Sequence, residues 1–242
     1  MEPCIAVFVA TSLEYHLLRK ALSRPASVRR TNISYISGRL GGRKILLIKT
    51  GMGLRNAQRA YAEMSTKGFP MHSVINIGTG GALNPDYLTG DVALVDRVVQ
   101  ESDGAEYAPA QIAIKPRHCV SLRLHWQSTL ISVAKPVDSR ARRHYYRNNY
   151  NADVADMEAA AFMKGAVNNG IPCYIIKGIS DSADDLPEIF QNIFNAEGKF
   201  NSRQILSLLV RNPLESLKSF SYIYNNSKLA MKNAVRLLER VI

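Results

Sequence analysis

Short apolar runs alternate with amphipathic stretches along most of the chain. Residues 4–10 are continuously apolar, as is typical of a strand covered on both faces, and leucines at helical spacing follow over 13–22. Residues 33–40 and 44–49 flank a Gly-Gly pair and predict a hairpin. Further strands are predicted at 73–77, 91–99, 130–133 and 174–179, and further helices at 54–67, 157–168, about 202–211 and about 214–241.

This alternation predicts an α/β fold with a mixed, largely parallel sheet. No stretch is long enough to be a linker, so we expect a single domain over residues 1–242, in which 187–242 form a helical C-terminal extension. Ligands in such folds bind at the carboxyl ends of strands. The candidate loops there are 10–14, 50–56, 78–85 and 180–185, together with the helix start at 156–158.

Composition narrows the class of protein. Of the 242 residues, 46% are hydrophobic, which is enough for a large buried core. Three widely spaced cysteines, Cys4, Cys119 and Cys173, favour reduced thiols in a cytoplasm over a disulfide framework or a zinc site. Neither a signal peptide nor an apolar run of about 18 residues is evident, so we expect a cytoplasmic protein.

The net charge of +11 favours an anionic partner, or simply a basic surface. Because no nucleic-acid-binding motif accompanies the charge, we expect no nucleic-acid partner. The five histidines lack ligand spacing, so neither a metal nor an organic cofactor is expected.

Two glycine-rich segments follow predicted strands. Residues 50–57 approach a dinucleotide fingerprint, but Asn56 stands where the third glycine belongs and Asn76 precedes Ile77 where an acidic residue is expected. A ligand loop and a tight turn both fit this segment, and a nucleotide-dependent oxidoreductase is disfavoured. The segment 78–85 is interpreted as a concave ligand loop, with close packing of backbones as the alternative.

Four carboxylates lie at the predicted strand ends. Taken singly, Asp156 fits a helix N-cap, Glu158 a first-turn helix carboxylate, and Asp181 a cap beside Ser180. Taken together with Glu14, they form a constellation suited to acid–base chemistry.

That constellation carries a family resemblance. Asp156-Met157-Glu158-Ala159 followed by residues 178–184, with 77–85 and 50–57 upstream, resembles the nucleoside phosphorylase and nucleosidase superfamily, and most of all the methylthioadenosine/adenosylhomocysteine nucleosidases. The resemblance runs from Cys4 to about residue 185. It implies a three-layer α/β/α fold, a homo-oligomer, and cleavage of the N-glycosidic bond of a purine, adenine-containing nucleoside through an oxocarbenium-like transition state.

The resemblance also implies roles for individual residues. Asp181 would protonate the departing base at N7, with burial helping it to hold that proton and Ser180 positioning its carboxyl. Glu158 and Met157 would bind the ribose, and Met52 would line the pocket for the 5′ substituent. The remaining substrate-binding candidates are Thr79, Gly80, Gly51 and Gly53.

The nucleophile distinguishes the two halves of the superfamily. Glu14 stands where the hydrolases place a water-activating glutamate, and Asn76 where an arginine would suit a phosphorylase. Hydrolysis is therefore favoured, although Thr11 and Glu14 also form a capping box. Arg55 is a candidate phosphate ligand, which leaves inorganic phosphate open as a co-substrate.

Two departures from the nucleosidase pattern affect the substrate. Residues 133–138 carry no aromatic ring where the nucleosidases stack one on the base. Residues 186–242 resemble more loosely the hopanoid-associated phosphorylase branch, which is associated with releasing adenine from adenosylhopane. The final helix is basic and amphipathic, so it fits either packing against the sheet or peripheral contact with an anionic membrane. A catalytically silent nucleoside-binding protein is the alternative from another class, and the retained carboxylates argue against it.

Overall fold

The computed structural model describes residues 3–28, 35–115, 121–183, 207 and 210–242. Residues 184–185 of the last candidate loop, Cys119 and most of the helix predicted at about 202–211 lie outside the described residues.

The described residues form ten strands and five helices. The strands are β1 (Cys4–Val9), β2 (Ser23–Val28), β3 (Tyr35–Leu40), β4 (Arg43–Lys49), β5 (Met71–Ala82), β6 (Val92–Gln100), β7 (Glu106–Tyr107), β8 (Leu124–Ser132), β9 (Val154–Asp156) and β10 (Cys173–Asp181). The helices are α1 (Ser12–Ala21), α2 (Leu54–Thr66), α3 (Arg140–Tyr150), α4 (Ala159–Asn168) and α5 (Pro213–Val241).

One mixed sheet joins all ten strands. Its centre is parallel, in the order β4, β1, β5 and β10, and the β3–β4 hairpin extends one side antiparallel. On the other side the pairings β10–β6–β8–β9–β5 return to β5, which also pairs with β10, so this half of the sheet closes on itself. The predicted α/β/α class with a mixed sheet is confirmed.

Helices cover both faces of the sheet, which explains the unbroken apolar run of β1. Cys4, Ala6 and Phe8 pack on the side of α2 and α4, while the alternate residues Ile5, Val7 and Val9 pack on the side of α1 and α5. Because successive side chains of a strand point to opposite faces, both sets must be apolar.

The structure corrects the interpretation of 78–85 as a loop. Gly78, Thr79, Gly80 and Gly81 continue β5 and pair in register with β10 and β9. A Cβ on Gly80 would lie 2.6 Å from Cγ1 of Val154, so close packing of neighbouring strands requires glycine there. Likewise β10 runs two residues beyond its predicted end, through Ser180 and Asp181.

Several elements were not predicted. They are β2, β7, β9 and α3, and β8 begins six residues before the predicted strand at 130–133. The helix predicted from Met157 begins at Ala159, with Glu158 as its N-cap.

The last helix, α5, packs its C-terminal half on the sheet. Gly178 in β10 makes this approach possible, since a Cβ there would lie 2.3 Å from the backbone oxygen of Ala230. Asn233 Nδ2 donates to the Gly90 carbonyl at 2.7 Å and fixes the helix against the start of β6. No helix in the described part of the chain is both long and apolar enough to span a membrane.

Candidate active site

A pocket of about 160 Å³ opens where the carboxyl ends of the central parallel strands meet. The ends of β1, β5, β9 and β10 supply most of its wall, as the strand-end rule predicts. Four carboxylates and one guanidinium line it, and these charged residues are Glu14, Asp156, Glu158, Asp181 and Arg143.

Glu14 is both a helix cap and a pocket residue. Its Oε2 accepts hydrogen bonds from the backbone N–H groups of Ala10 at 2.9 Å and Thr11 at 2.8 Å, which completes the predicted capping box. Its Oε1 accepts from Thr79, from the backbone N–H at 2.9 Å and the hydroxyl at 3.2 Å. These four donors hold the buried carboxylate in one orientation at the pocket wall.

Glu158 lies at the start of α4 and is 7% exposed. Its Oε1 accepts from the backbone N–H of Gly53 at 2.6 Å. Burial, with the nearby charge of Asp156, raises the pKa of Glu158 to about 7, although Lys177 and the Gly53 hydrogen bond oppose that shift. The side chain is therefore poised between its neutral and ionised forms near neutral pH.

A fully buried ion pair lies beneath this carboxyl. Lys177 Nζ is 2.8 Å from Asp156 Oδ2, and both side chains are at most 2% exposed. Burial lowers the pKa of the Lys177 ammonium, but the charges of Asp156 and Glu158 outweigh it, so the pKa is raised. Ser132 donates to Asp156 Oδ1 at 2.6 Å, and Ala159 donates its N–H to Oδ2 at 2.9 Å. This network fixes the β9–α4 turn that presents Met157 and Glu158.

Asp181 ends β10 on the opposite wall. Ser180 Oγ donates to Asp181 Oδ1 at 2.6 Å, and Arg143 Nη2 donates to Asp181 Oδ2. The expected burial of Asp181 is partial, since its side chain is 17% exposed, and a buried guanidinium rather than apolar surface faces it.

The structure brings most of the predicted site residues together. Glu14, Met52, Thr79, Gly80, Met157, Glu158, Ser180 and Asp181 all line the pocket. Gly51 and Gly53 are not among the lining residues: both have positive φ, and Gly53 contributes through its bond to Glu158.

Arg143 is the charged residue that the sequence analysis missed. It lies on α3, a helix whose sequence is so polar that no apolar period marks it. The available signal was weak, namely Arg143 and Tyr146 three positions apart on the helix face that is buried.

Two other positions bear on the choice between water and phosphate. Arg55 is exposed and is not among the lining residues, and Asn76 is buried within β5 with its amide 3.4 Å from the Phe8 carbonyl. In the stretch without an aromatic ring, Val133, Pro136 and Val137 form an apolar wall of the pocket.

Comparison with known proteins places this chain in a family. The family model of the Phosphorylase superfamily matches residues 4–210. A 5′-methylthioadenosine/S-adenosylhomocysteine nucleosidase of Anoxybacillus flavithermus is 25% identical over 226 residues, which cover 85% of this chain and 97% of the relative.

Solved structures show the same fold. The nucleosidase of that name from Neisseria meningitidis, in complex with methylthio-immucillin-A, superposes with a TM-score of 0.76 at 22% identity and covers 98% of this chain and 97% of its own. The S-adenosylhomocysteine nucleosidase of Streptococcus pyogenes, in complex with 5-methylthiotubericidin, gives a TM-score of 0.72 at 17% identity, with 100% and 99% coverage.

Proposed function

This chain belongs to the phosphorylase superfamily, and we propose that it is a nucleosidase that hydrolyses the N-glycosidic bond of adenine-containing nucleosides. The relatives named above act, by their names, on 5′-methylthioadenosine and S-adenosylhomocysteine, and these two nucleosides are the proposed substrates. The products are free adenine and the free sugar.

The charge of the pocket favours water over phosphate as the nucleophile. Four carboxylates line it, and the guanidinium of Arg143, the one cationic side chain among the described lining residues, is already bound to Asp181 and two backbone carbonyls. A phosphate dianion would therefore be repelled, while a transition state with positive charge on the sugar would be stabilised.

Three of the four carboxyls have a direct role in this reaction. Asp181 gives a proton to the leaving base, because a neutral purine departs more readily than its anion. Glu158 accepts from the ribose hydroxyls, and Glu14 receives a proton from the attacking water. Among the four donors to Glu14, the Thr79 hydroxyl at 3.2 Å is the longest contact and the one that can rotate away to free an acceptor site.

The test is chromatographic detection of adenine released from methylthioadenosine, adenosylhomocysteine and adenosine, each with and without phosphate. Release that is independent of phosphate and yields the free sugar is the expected result. Release that requires phosphate and yields a sugar 1-phosphate would make the chain a phosphorylase and leave Glu14 as a cap. Binding of adenine without turnover of any nucleoside would favour the silent nucleoside-binding alternative.

A second proposal concerns α5: its N-terminal half contacts an anionic membrane surface. The apolar side chains of Leu214, Leu217 and Tyr224 recur at helical spacing and are between 51% and 75% exposed, and Val210, which precedes the helix, is also 75% exposed. Lys218 lies among them and Lys228 follows Tyr224 by about one helical turn, which suits lipids of negative charge.

The test is co-sedimentation with vesicles of phosphatidylglycerol, with phosphatidylcholine vesicles as the control. The wild-type chain should sediment only with the anionic vesicles, and L214D/L217D should not. The homo-oligomer predicted from the sequence is checked on the same samples by light scattering. A loss of mass in L214D/L217D without any vesicle binding by the wild type would assign this surface to a second copy instead.

A further inference from the structure

Arg143 is anchored more firmly than a surface arginine. Its side chain is 4% exposed, and its Nη1 donates at 2.7 Å to the carbonyls of both Ala82 and Ser182. These carbonyls belong to the end of β5 and to the residue that follows β10, so the guanidinium joins two strand ends at the pocket wall. A guanidinium held at fixed points presents its other terminal nitrogen, Nη2, in one direction.

That direction is toward Asp181. Arg143 Nη2 bonds Asp181 Oδ2, whereas Oδ1 is left to the Ser180 hydroxyl. The two oxygens of the carboxyl are therefore not equivalent: Oδ2 faces a permanent cation, and Oδ1 faces a hydroxyl that can donate or accept. Of the two oxygens, only Oδ1 lies beside a group that can accept a hydrogen bond from a protonated carboxyl.

Resting on the nucleosidase function proposed above, we propose that Arg143 is the positioning residue that makes Asp181 Oδ1 the proton-donating atom and that stabilises the carboxylate formed as the base leaves. In this step the Oδ1–H bond breaks and the proton passes to a ring nitrogen of the base. The electron pair of the glycosidic bond goes to the base, and Asp181 ends as an anion paired with Arg143.

This arrangement has two opposite consequences. Because the cation stabilises the anion that develops in the transition state, it raises the maximal rate of base release. Because the same cation also faces the carboxyl before the reaction, its removal should move the basic limb of base release to higher pH. An arginine that served only in packing would not change the position of the basic limb.

Other charged groups line the pocket or lie beneath it, and their effects on the pH profile must be separated from that of Arg143. They are Glu14 on α1, Asp156 and Glu158 at the β9–α4 turn, and Lys177 on β10, which is paired with Asp156. The contribution of Glu158 is identified as the part of the wild-type profile that Glu158→Gln removes.

The first experiment compares kcat and kcat/KM for adenine release between pH 5 and 9 in the wild type, R143M, R143K and R147M. R143M removes the charge, and R143K keeps it. If R143M fails to fold, R143Q replaces it, since glutamine also removes the charge but keeps an amide that can donate to the strand-end carbonyls. R147M is the matched control, since Arg147 on the same helix also pairs with a largely buried aspartate, Asp153, at 2.6 Å, and is not among the lining residues.

We expect R143M to lose at least tenfold in maximal kcat while its basic limb moves to higher pH by about one to three pH units. The basic limbs of R143K and R147M should stay with that of the wild type. A folded R143M whose kcat falls at every pH with no movement of the limb would overturn the proposal.

A second experiment does not depend on turnover. The carboxyl carbon of Asp181, labelled with ¹³C and assigned by its absence in D181N, is titrated in the free protein by NMR. Its midpoint should lie higher in R143M than in the wild type and R143K, and identical midpoints would refute the role of Arg143. If the wild type released no adenine from any nucleoside, the proposed function would fail while this titration still decided the role of Arg143.

Discussion

The backbone N–H of Gly53 donates to Glu158 Oε1 at 2.6 Å and joins two helix starts that are 105 positions apart in the chain. Gly53 has φ +94°, and nothing lies within 4 Å of where its Cβ would be, so glycine is required for the backbone angle rather than for space. The turn before α2, interpreted from the sequence as a ligand loop or a tight turn, thus holds a carboxyl of the pocket in place.

Glu158 should make stability depend on pH. Its pKa of about 7 in the folded protein lies above its ordinary value of 4.5, so the folded state binds this proton more tightly than the unfolded state. Stability from this group is fully present below about pH 4.5 and is lost as the pH rises to about 7. E158Q should not show this loss of stability, because glutamine does not titrate.

The measurement is urea unfolding of the wild type and E158Q at pH 5 and pH 8. The free energy of unfolding of the variant, relative to the wild type, should rise by up to roughly 3 kcal/mol between the two pH values. A difference that stays constant with pH would mean that Glu158 is already ionised at pH 5 in the folded chain.

The cap and the catalytic role of Glu14 can be separated with two variants. E14Q keeps the size of the side chain but cannot take a proton from water, so we expect kcat to fall by about 10²–10⁴. T11A removes the hydroxyl that accepts from the Glu14 N–H at 3.3 Å, together with one methyl group at the pocket wall, and leaves the Glu14 carboxylate in place. It should cost about 1 kcal/mol of stability with most of the turnover kept.

Both variants are compared by adenine release at equal folded fraction, checked by circular dichroism. Equal losses of activity in E14Q and T11A would leave Glu14 with the cap alone.

Asp181 should be indispensable for base release. In D181N an amide replaces the acid, so the leaving base receives no proton, and kcat should fall by about 10²–10⁴. The fold should remain, because the Asn oxygen can still accept from Arg143, although that buried cation then lacks its counter-ion. The measurement is adenine release together with adenine binding by calorimetry; a variant that binds adenine and turns over at a near-normal rate would contradict the role of Asp181 as proton donor.

Local signals explain what the sequence could predict of this site. The capping box of Thr11 and Glu14 lies within four residues, and the apolar run of β1 follows from burial on both faces, so neither depends on distant partners. The reason for glycine at position 80 could not be predicted in this way. Glycine is required there because Val154 of the neighbouring strand β9 lies close by, and no local pattern reveals that pairing.

The helix α3 was not predicted from the sequence for a related reason. Its buried face is carried by Arg143 and Tyr146, so a helix that contributes to the pocket has no apolar stripe. An arginine that faces inward has the same appearance in a sequence as one that faces solvent, and only the position of Asp181 and the two strand-end carbonyls distinguishes them.

Gly178 should be the position where a single methyl group separates α5 from the sheet. In G178A the new Cβ would lie 2.3 Å from the Ala230 oxygen, which is backbone and cannot rotate away, so α5 must shift. Overpacking of this kind costs about 1–3 kcal/mol. G42A is the control: its Cβ meets nothing within 4 Å, and only the φ of +81° is unfavourable, at about 1–2 kcal/mol.

Hydrogen exchange distinguishes the two variants better than global stability does, because their total costs overlap. In G178A the amides of α5 from Ala230 to Leu238 should exchange faster, since the helix has lost its close approach to β10, while in G42A they should keep wild-type protection. Equal protection of α5 in both variants would show that the helix accommodates the methyl group without moving, and that the close approach at Gly178 is not what holds it to the sheet.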